Sequence, residues 1–218
     1  MRRVALVAGV GPTIGEAVAR RFHADGFAVG LLARSSEFVG SLADDLGADA
    51  VAVPADVTDE EAVREATESV REELGPVEVL VLNASAGGGR PVDDADPERL
   101  RSMLDVRVTG SLACVTAALP DLRETDGTVL VSGTTYADPP VTEQIEWGAT
   151  APATRGLAVS LDAALDDVTV TYVRIGSAVR SEGGPVAIDA ADLAAEYRRL
   201  VDRPGVASRE VDLRRDPE

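Results

Sequence analysis

Short, Val-rich apolar runs recur along the chain and are separated by segments of helical composition. Six of these runs have the pattern of buried strands, at residues 4–8, 28–32, 50–53, 77–82, 128–131 and 168–173. Helical segments lie between or after them, at 15–24, 37–46, 59–74, 97–119, 152–165 and about 190–201. Buried strands that alternate with helices form parallel sheets joined by right-handed crossovers. The sequence therefore predicts a doubly wound α/β fold with helices on both faces of the sheet.

A seventh strand is predicted near the end of the chain. Residues 206–213 alternate well enough for an edge strand, which would give a sheet of seven parallel strands. No repeat, low-complexity linker or Pro-rich boundary divides the sequence, so we expect one domain over residues 1–218. Thr58 followed three residues later by Glu61 has the pattern of a capping box, which predicts the start of the third helix.

Acidic residues greatly outnumber basic ones. The chain has 38 Asp and Glu against 21 basic residues, all of them Arg, and a net charge of −17. Such a surface disfavours binding to a phosphate backbone, so no nucleic-acid partner is expected. No apolar run approaches the roughly 18 residues of a membrane span, so no membrane partner is expected either. Because salt screens repulsion between carboxylates, the composition predicts a halophilic protein in the cytoplasm of a high-salt cell.

A glycine-rich loop follows the first strand and precedes the first helix. Gly9, Gly11 and Gly15 allow a sharp turn that brings backbone N–H groups to a pyrophosphate at the positive end of a helix. The gap before the third glycine is one residue longer than in the strict dinucleotide fingerprint, and it contains Thr13 and Ile14. The loop therefore predicts dinucleotide binding. The alternative is a turn that only allows close packing of strand and helix.

This loop and most of the chain resemble the short-chain dehydrogenase/reductase family, whose loop reads Thr-Gly-x-x-x-Gly-x-Gly. The resemblance implies a Rossmann-like fold, a nicotinamide cofactor, a small-molecule substrate and assembly into a homodimer or homotetramer. It also implies further cofactor-binding residues after strands three, four and six, namely Asp56, Val57, Asn83, Ala84 and Gly176. Asp56 and Asn83 could equally be turn or capping residues, and Gly176 a plain turn glycine.

The end of the second strand indicates which nicotinamide cofactor fits. Members of this family that prefer NAD have an acid there, whereas this chain has Ala33 followed by Arg34 and Ser35. An acid would repel a 2′-phosphate, and a guanidinium can form a forked, charge-assisted pair with it. The sequence therefore predicts NADP(H) as the cofactor. A solvated loop arginine is the alternative for Arg34.

The catalytic Asn, Ser, Tyr and Lys of the family are all replaced. The resemblance places at their positions, in that order, Arg107, Thr134, Trp147 and Ala151. Thr134 keeps a hydroxyl and is the one catalytic candidate, with Ser132 as an alternative alignment. An indole N–H does not ionise usefully, and an alanine cannot lower the pKa of a neighbour. The usual proton transfer is therefore not available.

Three functions remain open at this point. The chain could be an atypical oxidoreductase acting on an unknown carbonyl or alcohol, a non-catalytic NADP(H) sensor or partner subunit, or a structural partner that no longer binds nucleotide. Tyr136, Glu143 or Glu146 could supply a substitute acid. Pro152 favours a helix that begins at this residue, which would remove the helical spacing of the Tyr and Lys positions. No set of metal-ligand residues is visible.

Overall fold

Strands and helices alternate along the chain in the computed structural model, which describes residues 2–135, 141–202 and 208–215. The strands are β1 (Val4–Ala8), β2 (Ala28–Ala33), β3 (Ala50–Pro54), β4 (Val77–Leu82), β5 (Thr128–Thr134), β6 (Thr169–Ile175), β7 (Ala178–Arg180), β8 (Ala187–Asp189) and β9 (Glu210–Leu213). The helices are α1 (Ile14–Ala24), α2 (Ser36–Leu46), α3 (Glu60–Leu74), α4 (Pro97–Leu104), α5 (Gly110–Glu124), α6 (Ile145–Ala164) and α7 (Ala190–Val201). A 3-10 turn covers Val92–Asp94, and a π-helical turn, Asp105–Thr109, joins α4 to α5.

Seven strands form one sheet in the order β3-β2-β1-β4-β5-β6-β9. All of its pairings are parallel, which confirms the predicted doubly wound α/β fold with seven parallel strands. The predicted edge strand is β9, although residues 206 and 207 lie outside the described residues. β7 and β8 form a separate parallel pair that the sequence did not predict. Strand order reverses between β1 and β4, which opens a crevice at their carboxyl ends.

The two faces of the sheet bury separate hydrophobic layers. Along β1, Val4 and Leu6 belong to one layer, and Ala5 and Val7 to the other. Helices α3, α5 and α6 cover the first layer, and α1, α2 and α7 cover the second. Cys114 on α5 is buried in the first layer, and this burial raises the pKa of its thiol to about 12. Its thiol is therefore part of the core.

The predicted helix at 97–119 is longer than expected and is interrupted once. It runs through α4, the π-helical turn and α5, and it continues past Pro120 to Glu124. The buried carboxylate of Asp121 accepts hydrogen bonds from the backbone N–H of Val77 at 3.1 Å and from Nε of Arg71 at 2.7 Å. These tertiary contacts hold the last turn of the helix although Pro120 lacks a backbone donor.

The same helical stretch has the length and the apolar composition of a membrane span, which the sequence pattern did not predict. Pro97–Glu124 is long enough to cross a membrane, and its most apolar window has a mean hydropathy of 1.2. That window is 39% buried, and α5 contributes Cys114, Val115, Ala118 and Leu122 to the core. A core helix of a soluble protein can have the same length and apolar composition, so this single stretch is weak evidence for a membrane span.

The predicted capping box at the start of α3 is wrong. The N-cap is Asp59, whose side chain accepts a hydrogen bond from the backbone N–H of Ala62 at 3.1 Å. Thr58 instead donates its backbone N–H and its hydroxyl to Oδ1 of Asp56, at 3.0 and 2.9 Å. Thr58 thus belongs to the turn at Asp56, and the N-cap of α3 lies one residue after the predicted one.

The predicted start of the fifth helical segment at Pro152 is also wrong. α6 begins at Ile145 and contains Pro152 in its interior. The buried carboxylate of Glu146 accepts hydrogen bonds from the backbone N–H of Arg90 at 2.7 Å and of Asp96 at 3.1 Å. Because these bonds hold the first turn of α6 against the segment after β4, the helix forms about two turns before the proline.

Candidate cofactor and active site

The glycines of the loop after β1 have different structural roles. Gly9 has φ +101°, and a Cβ there would lie 2.2 Å from the backbone nitrogen of Ala84. A Cβ on Gly15 would lie 2.5 Å from the carbonyl oxygen of Gly9. Gly11 is different, because a Cβ there would have no heavy atom within 4 Å. Gly9 and Gly15 therefore permit close backbone packing, and Gly11 faces open space.

Helix α1 begins directly behind this loop. Thr13 precedes it without a capping hydrogen bond from its side chain. The carbonyl of Gly11 accepts hydrogen bonds from the N–H groups of Thr13 and Glu16, each at 2.9 Å. Ile14 and Gly15, in the first turn, line a cavity. Because the first turn of a helix has N–H groups without intrahelical acceptors and a partial positive charge, this end fits an anionic phosphate group.

One cavity, of about 590 Å³, lies at the carboxyl ends of β1 to β4. We call it the Arg34 cavity. It brings together predicted cofactor residues from four loops, namely Gly9, Gly11, Arg34, Ser35, Asp56, Val57, Asn83 and Ala84. Phe38, Ser85 and Val106 also line it and were not predicted. The sequence thus identified most of the polar wall and missed part of the apolar one.

Arg34 and Asp56 lie next to each other in the wall of the Arg34 cavity. Nη1 of Arg34 lies 3.9 Å from Oδ2 of Asp56, and the Arg34 side chain is 74% exposed. The backbone N–H and hydroxyl of Thr58, together with the charge of Arg34, hold the pKa of Asp56 below its usual value. Ser35 caps α2 by accepting a hydrogen bond from the N–H of Phe38 at 3.3 Å. The guanidinium therefore stays accessible to an anion, and Asp56 and Ser35 also hold the local turns.

A second cavity, of about 470 Å³, adjoins the first. The two share Gly11, Pro12, Asn83 and Ser85. We call it the Arg107 cavity, and its other lining residues include Thr13, Ile14, Gly15, Arg107, Ser132, Thr134, Trp147, Gly176, Ser177 and Val179. Asn83 donates its side-chain N–H to the carbonyl of Gly9 at 2.9 Å, which fixes the glycine loop between the cavities. Together the cavities form one crevice over the switch between β1 and β4.

Arg107 lies in the π-helical turn and is almost fully buried. It is 5% exposed, and its Nη2 donates a hydrogen bond to the carbonyl of Ser132 at 2.9 Å. Its guanidinium carbon lies 4.5 Å from the ring centroid of Trp147, a cation–π contact. Its Nε is buried and has no hydrogen-bond partner among the described residues. Burial lowers the pKa of Arg107 to about 10, so the side chain is still a cation at neutral pH.

The positions expected for catalytic Tyr and Lys lie on one helix. Trp147 and Ala151 are one turn apart in α6, so the loss of spacing inferred from Pro152 is wrong. Trp147 lines the Arg107 cavity, whereas Ala151 is 1% exposed and does not line it. The hydroxyl of Tyr172 lies 3.5 Å from the carbonyl of Ala151. The helix thus places the two expected positions one turn apart, with an indole at the first and a buried methyl group at the second.

Two hydroxyl groups from β5 line the same cavity. The Thr134 side chain is half-buried at the strand end, and its backbone N–H donates to the hydroxyl of Tyr172 at 3.4 Å. Ser132 is buried, and its Oγ lies 2.8 Å from the hydroxyl of Tyr197 on α7. The hydroxyl of Ser132 is therefore engaged in the interior. Thr134 is the better placed of the two for contact with a ligand.

The structure argues against two of the three substitute acids. The carboxylate of Glu146 is buried and does not line the cavity. Burial raises its pKa, but hydrogen bonds from its own backbone N–H and from those of Asp96 and Arg90 bring the pKa below its usual value. Glu143 is exposed and is not among the lining residues. Tyr136 lies outside the described residues. Within the ranges that the structure covers, no group of three or more His, Cys, Asp and Glu residues could hold a metal ion.

Sequence comparison finds relatives named as oxidoreductases. A family model described as short chain dehydrogenase matches residues 3–181. An uncharacterized oxidoreductase of Staphylococcus aureus is 34% identical over 123 residues, which is 56% of this chain and 53% of that protein. The match thus spans about half the length of that relative. An uncharacterized oxidoreductase of Staphylococcus epidermidis is 27% identical over 177 residues, 80% of this chain and 77% of that protein.

Solved structures have the same fold. An alcohol dehydrogenase from Thermococcus sibiricus, complexed with 5-hydroxy-NADP, has a TM-score of 0.90 at 26% identity and covers 100% of both chains. A serine dehydrogenase from Escherichia coli has a TM-score of 0.86 at 26% identity, with 96% of each chain covered. A 3-ketoacyl-(acyl-carrier-protein) reductase from Brucella melitensis, complexed with NADH, has a TM-score of 0.87 over 96% of each chain, and at 24% identity it supports the fold alone. With the family match over residues 3–181, this chain belongs to the short-chain dehydrogenase family.

Proposed function

We propose that this chain binds NADP(H) across the Arg34 and Arg107 cavities and acts as an atypical oxidoreductase on a carbonyl or alcohol. The observation that carries this proposal is the continuous crevice around the glycine loop, with Gly11 facing open space. The structural neighbour with bound 5-hydroxy-NADP, at 26% identity, supports a nicotinamide cofactor. The exposed guanidinium of Arg34 favours NADP(H) over NAD(H).

Each part of the crevice has a distinct role in this proposal. The first turn of α1 holds the pyrophosphate, and Arg34 pairs with the 2′-phosphate. Asp56 and Val57 contact the adenine, and Gly176 lies beside the nicotinamide. When bound, the cofactor supplies or accepts a hydride at a substrate carbon. The hydroxyl of Thr134 can donate a hydrogen bond to the substrate oxygen, while the matching proton is exchanged with solvent.

A non-catalytic sensor or partner subunit is the second candidate. It is favoured by Trp147 in the cavity wall and by the buried Ala151, because neither can exchange a proton with a substrate. A positioned acid or base typically contributes about 10²- to 10⁴-fold in rate. Hydride transfer without one is therefore slow. A screen of carbonyl compounds with NADPH distinguishes the candidates, because a sensor turns over none of them.

Arg34→Ala is expected to weaken the binding of NADPH by about tenfold, because it removes the guanidinium that recognises the 2′-phosphate. The binding of NADH, which lacks this phosphate, is expected to stay nearly unchanged. Isothermal titration calorimetry of both cofactors on both proteins checks this. Arg64→Ala removes an equally charged, exposed side chain from α3 and serves as the matched control. Equal affinities of the wild-type protein for NADPH and NADH would refute the role of Arg34.

We also propose that the protein is adapted to high salt. The chain has a net charge of −17, so its carboxylates repel one another when salt does not screen them. The Debye length, which measures the range of this repulsion, falls from roughly 30 Å at 0.01 M salt to about 3 Å at 1 M. The melting temperature is therefore expected to rise from low to molar potassium chloride. A melting temperature that is constant or falls over this range would contradict salt adaptation. The expected cytoplasmic location stays a prediction.

Assembly into a homodimer or homotetramer is part of the proposal as well. Leu112 on α5 and Val159 on α6 are each 42% exposed, and they lie on helices that cover the same face of the sheet. Apolar side chains on outward helix faces are consistent with pairing through these helices.

A further inference from the structure

We propose that the Arg107 cavity recognises the carboxylate of an anionic substrate, with Arg107 as the cation that binds it. This inference rests on the proposed function, because it names the substrate class for the same cavity. The substrate would then be an oxo acid or hydroxy acid. Nothing in the family resemblance assigns such a role, since the family has a neutral asparagine at this position.

The charge of the cavity wall is the first observation. The chain has 38 acidic residues, yet none of the described residues that line the Arg107 cavity is acidic. Arg107 is the one charged side chain among those described lining residues. The described part of the wall also has hydroxyl groups on Thr13, Ser85, Thr134 and Ser177, whereas the hydroxyl of Ser132 is engaged with Tyr197. In its described part, this concave wall has one cation, several hydroxyl groups and no carboxylate, which suits an anion that also carries an oxygen to be hydrogen-bonded.

The unmet bonding capacity of Arg107 is the second observation. A buried cation costs free energy unless an anion or several acceptors compensate it. The structure gives Arg107 one hydrogen bond, to the Ser132 carbonyl, and leaves its buried Nε without a partner among the described residues. Among the described residues, the groups that interact electrostatically with its charge are the hydroxyls of Tyr172 and Tyr197. Neither of them is a carboxylate that would neutralise the cation. A ligand carboxylate would supply the missing negative charge.

The rigid placement of Arg107 is the third observation. Its guanidinium stacks on Trp147 and is tied to the main chain of β5 by the bond to Ser132. A fixed planar guanidinium loses little freedom when it binds a carboxylate through two parallel hydrogen bonds. The side chain also comes from a π-helical turn, a feature that is frequent at functional sites. Arg107 is therefore held in place before a ligand arrives.

The sole tryptophan makes this proposal directly measurable. Because the chain has one Trp, all indole fluorescence comes from Trp147, which contacts the guanidinium in question. We would titrate the wild-type protein with acetate and pyruvate, and with their uncharged analogues acetamide and pyruvamide, at fixed ionic strength. The carboxylates are expected to change the emission saturably and to bind about 10- to 100-fold more tightly than the amides. Each titration is run with and without NADP⁺.

Two substitutions test the cation itself. Arg107→Met is expected to remove the preference for carboxylates, and Arg107→Lys to retain part of it. Arg101→Met is the matched control, because Arg101 is an exposed arginine of α4 that does not line the cavity. If Arg107→Met fails to fold, the comparison of carboxylates with amides on the wild-type protein still decides the question. Equal binding of both, or no saturable response to either, overturns the proposal.

The same samples separate this inference from the proposed function. Calorimetry with NADP⁺ reports cofactor binding without any carboxylate. If NADP⁺ binds and carboxylates are not preferred, the inference about Arg107 fails and the proposed function stands. If carboxylates are preferred but NADP⁺ does not bind, the anion site stands and the proposed function fails.

Discussion

Combining Trp147→Tyr with Ala151→Lys is expected to raise the rate of NADPH-dependent carbonyl reduction at least about 10²-fold over the wild type. The reason is that α6 already places the two positions one turn apart, with position 147 in the wall of the Arg107 cavity. A phenol at position 147 can deliver a proton, and the cations at 107 and 151 would lower its pKa. Because the helix runs through Pro152, restoring the geometry requires no further substitution.

The loss of NADPH absorbance over a panel of ketones and aldehydes measures this gain. Trp147→Phe combined with Ala151→Lys is the matched control, since it has the cation and an aromatic ring but no phenol. Position 151 is buried, so circular dichroism and NADPH calorimetry must first show that each variant folds and binds cofactor. A folded double variant no faster than the Phe control would contradict the prediction. Wild-type turnover near typical enzyme rates, about 1 to 10³ per second, would show that another group supplies the proton.

The sheet could be predicted because its signals are local. Each central strand is a short apolar run that is buried on both faces, as in β1, where Leu6 and Val7 belong to opposite layers. The cofactor loops followed from the same pattern, because the carboxyl ends of parallel strands meet at one edge. Gly9, Arg34 and Asp56 are far apart in sequence but line one cavity for this reason.

Two helix boundaries could not be predicted, because contacts between distant segments set them. Two prolines, Pro120 and Pro152, indicate helix boundaries, yet both lie inside helices. In each case a buried carboxylate nearby is held by backbone N–H groups far away in the sequence. Asp121 bonds to a residue 44 positions away, and Glu146 to one 56 positions away. No local pattern encodes such a contact.

The sequence predicted which residues stand at the site but not the contact between Arg107 and Trp147. The resemblance identified Arg107 and Trp147 separately, as replacements of a catalytic asparagine and a catalytic tyrosine. Their stacking became visible only when the π-helical turn and α6 were placed side by side. The sequence did contain a signal for this contact. A cation stands at the family's asparagine position and an aromatic ring at its tyrosine position, and these two side chains can form a cation–π pair.

We infer that the nicotinamide of NADPH lies in the Arg107 cavity. The most direct measurement is a titration of the wild-type protein with NADPH, followed by Trp147 fluorescence. Reduced nicotinamide absorbs light where indole emits, and Trp147 lines this cavity, so energy transfer between them is efficient at contact distances.

We predict that saturating NADPH removes most of the indole emission and produces matching nicotinamide emission, with one cofactor bound per chain. NADP⁺ should compete for the site without producing nicotinamide emission, because its oxidised ring does not absorb the emitted light. A titration with no saturable loss of indole emission would contradict the claim. So would NADPH binding by calorimetry that is not accompanied by energy transfer from Trp147, because the nicotinamide would then lie outside the Arg107 cavity.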